Sequence, residues 1–329
     1  MLPKTVIIAP QQPMLRVHAL RLMLAACSLL ALALGSARPA LAQVSTAVDN
    51  KGTEFFMAFL PQLSGAAHEV ELHLTADVAT DVTVQYPAGA PTFETTVAVQ
   101  PGSIEIVSLP DQASDPGAGQ WTSDSVTSNL VRAFSEREFV AYMINLYQYS
   151  SDAALALPVD ALNTDYIVAS KYVSLSDEFA VFAPFDDTTV TITPTAAFGS
   201  RAAGVPFDVV LNRGEAYFAQ VSGEFSGTLI SASRPVGLTN GNVCTQIPGA
   251  GGSGACDHIF EVAQPVQTWG NEVPVTNLPR RTAGSGAEPG PVPRGLERDV
   301  GGGDGPDGQP RLLVGATHLR RAVHDRHTR

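Results

Sequence analysis

Apolar and polar residues alternate with a period of two along most of this chain. From Glu54 to about Val275, short alternating or β-branched runs recur every 8–15 residues. Among them are Glu54–Leu60, Val70–Leu74, Val82–Tyr86, Ile104–Leu109, Leu130–Phe134, Phe139–Tyr147, Tyr166–Tyr172, Phe179–Ala183, Thr189–Thr193, Tyr217–Val221, Thr228–Ser231 and Val236–Thr239. Successive side chains of a strand point to opposite faces, so this period predicts half-buried strands. Pro61, Pro87, Pro101-Gly102, Pro110, Pro184, Pro194 and Arg213-Gly214 punctuate the runs, as turn residues do. Short strands at this spacing, with no long helical period after residue 43, predict an all-β fold. The expected architecture is repeated antiparallel multi-strand modules, either β-propeller-like or a stacked β-sandwich.

The runs also repeat. Thr80–Pro87 matches Asp187–Pro194 in pattern, and Val99-Gln100-Pro101-Gly102 parallels Leu211-Asn212-Arg213-Gly214. Ser128–Val131 parallels Gly227–Ile230, each followed by a second strand, Phe139–Asn145 and Pro235–Asn240. Glu54–Phe59 is paired with Glu178–Ala183 by the same reading. The separations run from 96 to 124 residues, which predicts a duplicated module with loop insertions.

One apolar run has no polar face at all. Leu22 to Leu34 follows the basic residues Arg16 and Arg21 and is broken by Gly35, Ser36 and Pro39 before Ala40-Leu41-Ala42. That order is a secretory signal peptide, too short to span a bilayer, with cleavage expected between Ala42 and Gln43. Leu24-Ala25-Ala26-Cys27 resembles a lipobox, a minority alternative that would anchor the protein through Cys27. Only five residues separate Arg21 from Cys27, fewer than the roughly 7–15 of a signal core. Export then leaves Cys244 and Cys256, and an even pair in an oxidising compartment reads most simply as a disulfide. It would close an 11-residue loop rich in Gly, Ala and Ser and contribute roughly 3 kcal/mol by restricting the unfolded chain.

Charge divides the chain again. Residues 43–279 hold 7 Lys and Arg against 26 Asp and Glu, a net of −19, whereas residues 280–329 hold 9 Arg against 6 acids, a net of +3. A body this acidic repels phosphate backbones and anionic lipid, so nucleic acid is not an expected partner. Residues 281–329 are rich in Arg, Gly and Pro, without an aromatic residue, and such a segment buries too little apolar surface to offset its ordering entropy. The organisation expected is a signal peptide at 1–42, an all-β body at 43–280 and a disordered tail at 281–329.

Several strings of the body resemble the IgG Fc-binding protein N-terminal domain family. They are Gly52-Thr53-Glu54-Phe55-Phe56-Met57-Ala58-Phe59-Leu60-Pro61, Ser151–Pro158, Asp165–Val168, Gly227–Val236, Gly241-Asn242-Val243-Cys244, Cys256-Asp257-His258 and Trp269-Gly270. The resemblance covers about residues 51–280, and the Gly-Asn-x-Cys…Cys-Asp-His string is its most specific part. It implies a secreted, adhesive or ligand-binding β domain. Family members continue with further strands where this chain turns to Arg, Gly and Pro after Arg281, so the body is expected to be incomplete at its C-terminus. A native flexible tail is one explanation. An out-of-frame reading is the favoured one, because charge, aromatics and pattern change together.

Candidate chemistry is sparse. In the cluster of Cys244 with Cys256-Asp257-His258, two thiolates and one imidazole could ligate zinc, but they lack a fourth ligand and short CxxC spacing. Ser253 beside Asp257-His258 lacks the nucleophile elbow of a hydrolase. Asp186-Asp187 reads as a turn, with calcium as the rival. Glu136 with Glu138 is the other acidic pair that a glycosidase reading could use. Phe139, Tyr142, Tyr147 and Tyr149 share one run, Tyr142 on the face opposite Tyr147 and Tyr149. A packed core strand is preferred there to a sugar-stacking platform. No catalytic residue, metal or cofactor is expected. The function expected is a secreted non-catalytic binding or adhesion module with a protein or glycan ligand, specifically a glycoprotein or surface polysaccharide. A carbohydrate-active enzyme on a propeller and a structural matrix component are the alternatives.

Overall fold

The period-two runs become strands of two antiparallel sheets that share one plan. The computed structural model describes residues 49–63, 68–114, 121–147, 150–246 and 256–270. Beyond them it places three short paired strands, Glu272–Pro274, Gly303–Asp304 and Pro310–Leu313. The expected signal segment with Ala42 and Gln43, and the remainder of the tail, lie outside the described residues.

The first sheet contains β1 (Gly52–Met57), β2 (His68–Thr75), β3 (Thr80–Tyr86), β4 (Phe93–Val99), β5 (Glu105–Leu109), β7 (Val131–Tyr147) and β8 (Ser151–Leu155). The second contains β6 (Ser125–Thr127), β9 (Asn163–Ile167), β10 (Asp177–Ala183), β11 (Thr188–Thr193), β12 (Phe207–Leu211), β13 (Glu215–Val221), β14 (Leu229–Thr245) and β15 (Asp257–Val262). The order β4-β3-β7-β2-β5 in one is matched by β12-β11-β14-β10-β13 in the other. The duplication read from the sequence is therefore visible as topology.

At the centre of each sheet is one strand of 17 residues. Its first part pairs with one set of neighbours and its last part with another. β1 and β3 pair with Val131–Phe139, while β2 and β8 pair with Val140–Tyr147. Likewise β9 and β11 take the start of β14, and β10 and β15 take its end. Each sheet thus folds over on itself around its own core, as in a sandwich whose corner is turned by a bent strand. The bends carry exposed residues, Glu136-Arg137-Glu138 in β7 and Ser233-Arg234 in β14. These polar interruptions are why the sequence pattern reads as two strands where the fold has one. The sandwich alternative holds; a propeller would need separate four-stranded blades.

Three of the repeat's correspondences coincide with structural equivalents, β3 with β11, the turn after β4 with the turn after β12, and the start of β7 with that of β14. Gly102 and Gly214 in the matching turns both have positive φ, 77° and 83°, where a Cβ is strained. The fourth correspondence fails. Glu54–Phe59 overlaps β1, whose counterpart is β9, whereas Glu178–Ala183 lies in β10, whose counterpart is β2. Both segments are apolar on two faces, and that shared burial imitates homology.

Every residue of β10 is buried. Phe179, Val181 and Ala183 enter the core of the second sheet, while Ala180 and Phe182 join Ala216, Phe218, Phe260 and Val262 in a core shared with the first. Trp121 meets Phe218 at 5.1 Å and Phe59 meets Phe260 at 6.3 Å. The back of the second sheet is therefore a middle layer, and each fully buried Phe there contributes about 1.5–3 kcal/mol. β6 strengthens the junction: it lies between β5 and β7 of the first sheet in the chain but pairs with β13 of the second sheet. Asp124 pins it by accepting from Tyr217 Oη at 2.5 Å, Arg201 Nε at 2.8 Å and Ser200 Oγ at 3.1 Å.

Candidate functional site

The second half of the first sheet buries one face and leaves the other to solvent. Leu72, Leu74, Val107, Leu109, Ala141, Met143 and Ala154 fill the core side. The residues between them form rows across the outer side. One row runs Ile106, His73, Tyr142, Leu155 from β5 through β2 and β7 to β8. The next runs Ser108, Glu71, Ile144, Ala153. Ile104, Ile106 and Tyr142 are 64%, 55% and 41% exposed, an apolar stripe uncovered by any described element. His73 Nε2 lies 2.8 Å from Glu71 Oε2, so the ring is tied to a carboxylate within the stripe, and Glu69 is exposed at its end. Ile104 and Ile106 lie two residues apart at the start of β5 and Tyr142 stands across His73 from Ile106, and exposed apolar residues grouped within a polar rim mark a candidate interaction face.

The aromatic run divides as strand parity requires. Phe139 is buried against Phe55 at 4.7 Å, Tyr142 stands on the outer face and Tyr147 is half-buried on the other. The core reading holds for Phe139 and fails for Tyr142. Tyr149 lies outside the described residues.

The Gly-Asn-x-Cys…Cys-Asp-His string is a lock on the fold. Cys244 and Cys256 are joined as a disulfide with Cα atoms 5.2 Å apart. Asn242 Nδ2 donates to buried Asp177 at 2.7 Å and its Oδ1 accepts from Cys244 N–H at 2.8 Å. His258 N–H donates to Ser150 Oγ at 2.6 Å, and its Nδ1 faces the Asn242 carbonyl at 3.1 Å. Asp152 accepts from Phe260 N–H at 2.9 Å, so side chains from Ser150 and β8 tie the first sheet to β15. Ser253 lies outside the described residues.

His258 is 2% exposed, and desolvation holds its imidazole down at about 4, from an ordinary 6.5, against the pull of the Val243 and Asn242 backbone. The unfolded chain takes up this proton near 6.5 and the folded chain only near 4. Stability from this group is therefore complete above about pH 6.5 and lost as pH falls through 4, roughly 3 kcal/mol. We expect denaturant midpoints to fall over that window in the wild type and to fall less in His258→Gln. Glu178 acts in the opposite sense. It is fully buried in the middle layer, where Gln220 Nε2 donates to it at 2.9 Å, and burial raises its carboxyl well above the ordinary range. Its contribution is present at low pH and lost as pH rises through that raised value.

The acidic pairs do not converge. Glu136 and Glu138 are both exposed on the bend of β7. Asp187 adopts φ 51°, and Asp186 Oδ1 accepts from Arg213 N–H at 3.0 Å, as a turn requires. Among the described residues no group of three or more His, Cys, Asp and Glu is placed to hold a metal ion. Two clefts open elsewhere. One of about 400 Å³ includes Glu54 and Asp160. Glu54 there is paired with Arg132 at 2.6 Å and with Arg213 of the second sheet, which also donates to the Pro184 carbonyl at 2.8 Å. The other, about 520 Å³, lies where the chain passes through β6. Neither cleft is lined by residues that sequence reasoning singled out for chemistry.

Residues 152–293 match the family model described as IgGFc binding protein, a span that extends past Arg281. Over 243 residues, 70% of this chain, the sequence is 26% identical to the human protein named IgGFc-binding protein. The chain spans 4% of that relative's length. No solved structure matches, and no helix among the described residues is long and apolar enough to cross a membrane. The similarity to the IgGFc binding protein family thus runs through residues 152–293, and it is the family that the sequence motifs resemble.

Proposed function

We propose that this protein is an exported, non-catalytic adhesion module that captures a glycoprotein on the outer face of the first sheet. The observation that carries the reading is the row Ile106–His73–Tyr142–Leu155, in which Ile106 and Tyr142 are exposed, on a hydrogen-bonded sheet whose other face is core. Tyr and Ile give a partner apolar area at low entropic cost, and preorganised strands keep that cost small. Charge favours a partner whose apolar patch is rimmed by Lys or Arg, because Glu69 and Glu71 flank the row and the body carries a net of −19. The relative is named for binding immunoglobulin Fc, a protein ligand, and that name supports a protein partner here too. Export is supported by the signal pattern at residues 1–42 and by the disulfide.

A glycoprotein array probed with the secreted protein tests the reading. Capture is expected on glycoproteins with basic surfaces, weakening as salt rises. Tyr142→Ala with Ile106→Ser is expected to weaken it at least tenfold while the near-ultraviolet dichroism is unchanged. Uniformly blank arrays, capture of surface polysaccharide alone, or self-association without ligand would each overturn it.

A further inference from the structure

The cleft at β6 has a lining unlike the rest of the molecule. In a body with a net charge of −19, none of the residues around this 520 Å³ space is an Asp, Glu, Lys, Arg or His. Its walls are hydroxyls and amides, among them Thr92, Gln112, Ser128 and Asn129, interleaved with Tyr86 and Val126. The volume falls within the roughly 300–1,000 Å³ of small-ligand sites.

The walls are also held in place before any ligand arrives. Tyr86 Oη donates to Asn129 Oδ1, and Asn129 Nδ2 donates to the carbonyls of Gln112 at 3.2 Å and Ala113 at 3.3 Å. Ala88 N–H donates to the Leu130 carbonyl at 2.8 Å, and Ser125 Oγ to the Thr122 carbonyl at 2.5 Å. β13 fixes β6 from behind. Val126 is 44% exposed and Gln112 and Ser128 are exposed, so polar groups and an apolar side chain face the same opening.

We infer that this cleft is a site for an uncharged saccharide. Sugar hydroxyls both donate and accept, and uncharged hydroxyl and amide walls satisfy both roles without desolvating an ion. The C–H faces of a sugar ring need apolar contact, which Val126 and the flanking Pro87 and Pro110 supply. An anionic ligand would find no cation in the lining and would meet the repulsion of the acidic body. The inference rests on the reading of the chain as a binding module but uses a surface separate from the Tyr142 row.

Titration of the full secreted chain with a panel of neutral oligosaccharides, and with sialylated and sulfated counterparts, tests it. At least one neutral oligosaccharide is expected to bind, with its charged counterpart at least tenfold weaker. Ser128→Trp, which fills the mouth, and Gln112→Ala are each expected to reduce that affinity at least tenfold; Tyr142→Ala is expected to leave it unchanged. No neutral oligosaccharide bound, charged ones bound equally, or binding lost in Tyr142→Ala would overturn the inference. Because saccharide titration and glycoprotein capture are read separately, loss of one does not imitate loss of the other.

Discussion

Gly241→Ala is expected to prevent β14 and β15 from pairing and to leave little folded protein. A Cβ at Gly241 would lie 1.9 Å from the Ile259 carbonyl oxygen and 2.8 Å from its carbon. Both are backbone atoms, so no rotamer change relieves the overlap, and the ladder from Thr239↔Val262 to Thr245↔Asp257 must move apart. That movement drags the disulfide, the His258 contacts and the Phe260 packing against Phe59 with it. Overpacking a core commonly costs 1–3 kcal/mol where side chains can adjust; here the backbone must adjust, and we expect roughly 4 kcal/mol or more. Gly89→Ala is the control, since nothing lies within 4 Å of its added Cβ, and its midpoint should shift by less than about 0.5 kcal/mol. Denaturant unfolding of both proteins, or the yield of soluble protein where Gly241→Ala does not accumulate, reads the difference.

Asp177→Ala is the second large effect. The buried carboxylate accepts from Ser170 Oγ at 2.7 Å, Asn242 Nδ2 at 2.7 Å and Phe225 N–H at 3.0 Å. It thereby ties the loop before β10, the loop before β14 and β14 itself. Burial raises its carboxyl while the Asn242, Ser170 and Phe225 donors pull it down, with burial the larger influence. Truncation leaves three buried donors without an acceptor, each costing about 1–3 kcal/mol, and we expect a total of roughly 4 kcal/mol. Asp177→Asn keeps the volume and one carbonyl acceptor, so it should lose about half as much. Equal losses from the two variants would show that the hydrogen bonds are not what Asp177 supplies.

Strand content and the duplicated plan were legible because period two reports burial on one face directly. Where both faces are buried the signal fails. β10 and β1 each read as featureless apolar runs, and that similarity misassigned one correspondence of the repeat. β6 went unread because Ser125-Val126-Thr127 is short and mostly polar, although it crosses between the sheets. Bends with exposed charges cut β7 and β14 into apparent pairs. The motif Gly-Asn-x-Cys…Cys-Asp-His was visible as a string, but its structural work depends on Asp177 and Ser150, which lie far from it in sequence. The proposed binding face was legible only as parity: Tyr142 opposes Tyr147, yet which side meets solvent is set by how the sheet folds over. The β6 cleft draws its walls from three stretches that only the fold brings together, Tyr86 to Thr92, Pro110 to Gln112 and Thr122 to Asn129.

Hydrogen–deuterium exchange of the purified protein, alone and bound to a captured glycoprotein, reads the proposed binding face directly. The account predicts added protection in β5, β2, the second half of β7 and β8, the strands that carry Ile106, His73, Tyr142 and Leu155. Protection confined to β9, β11 and β12 on the second sheet, with the Tyr142 strands exchanging as in the free protein, would contradict it.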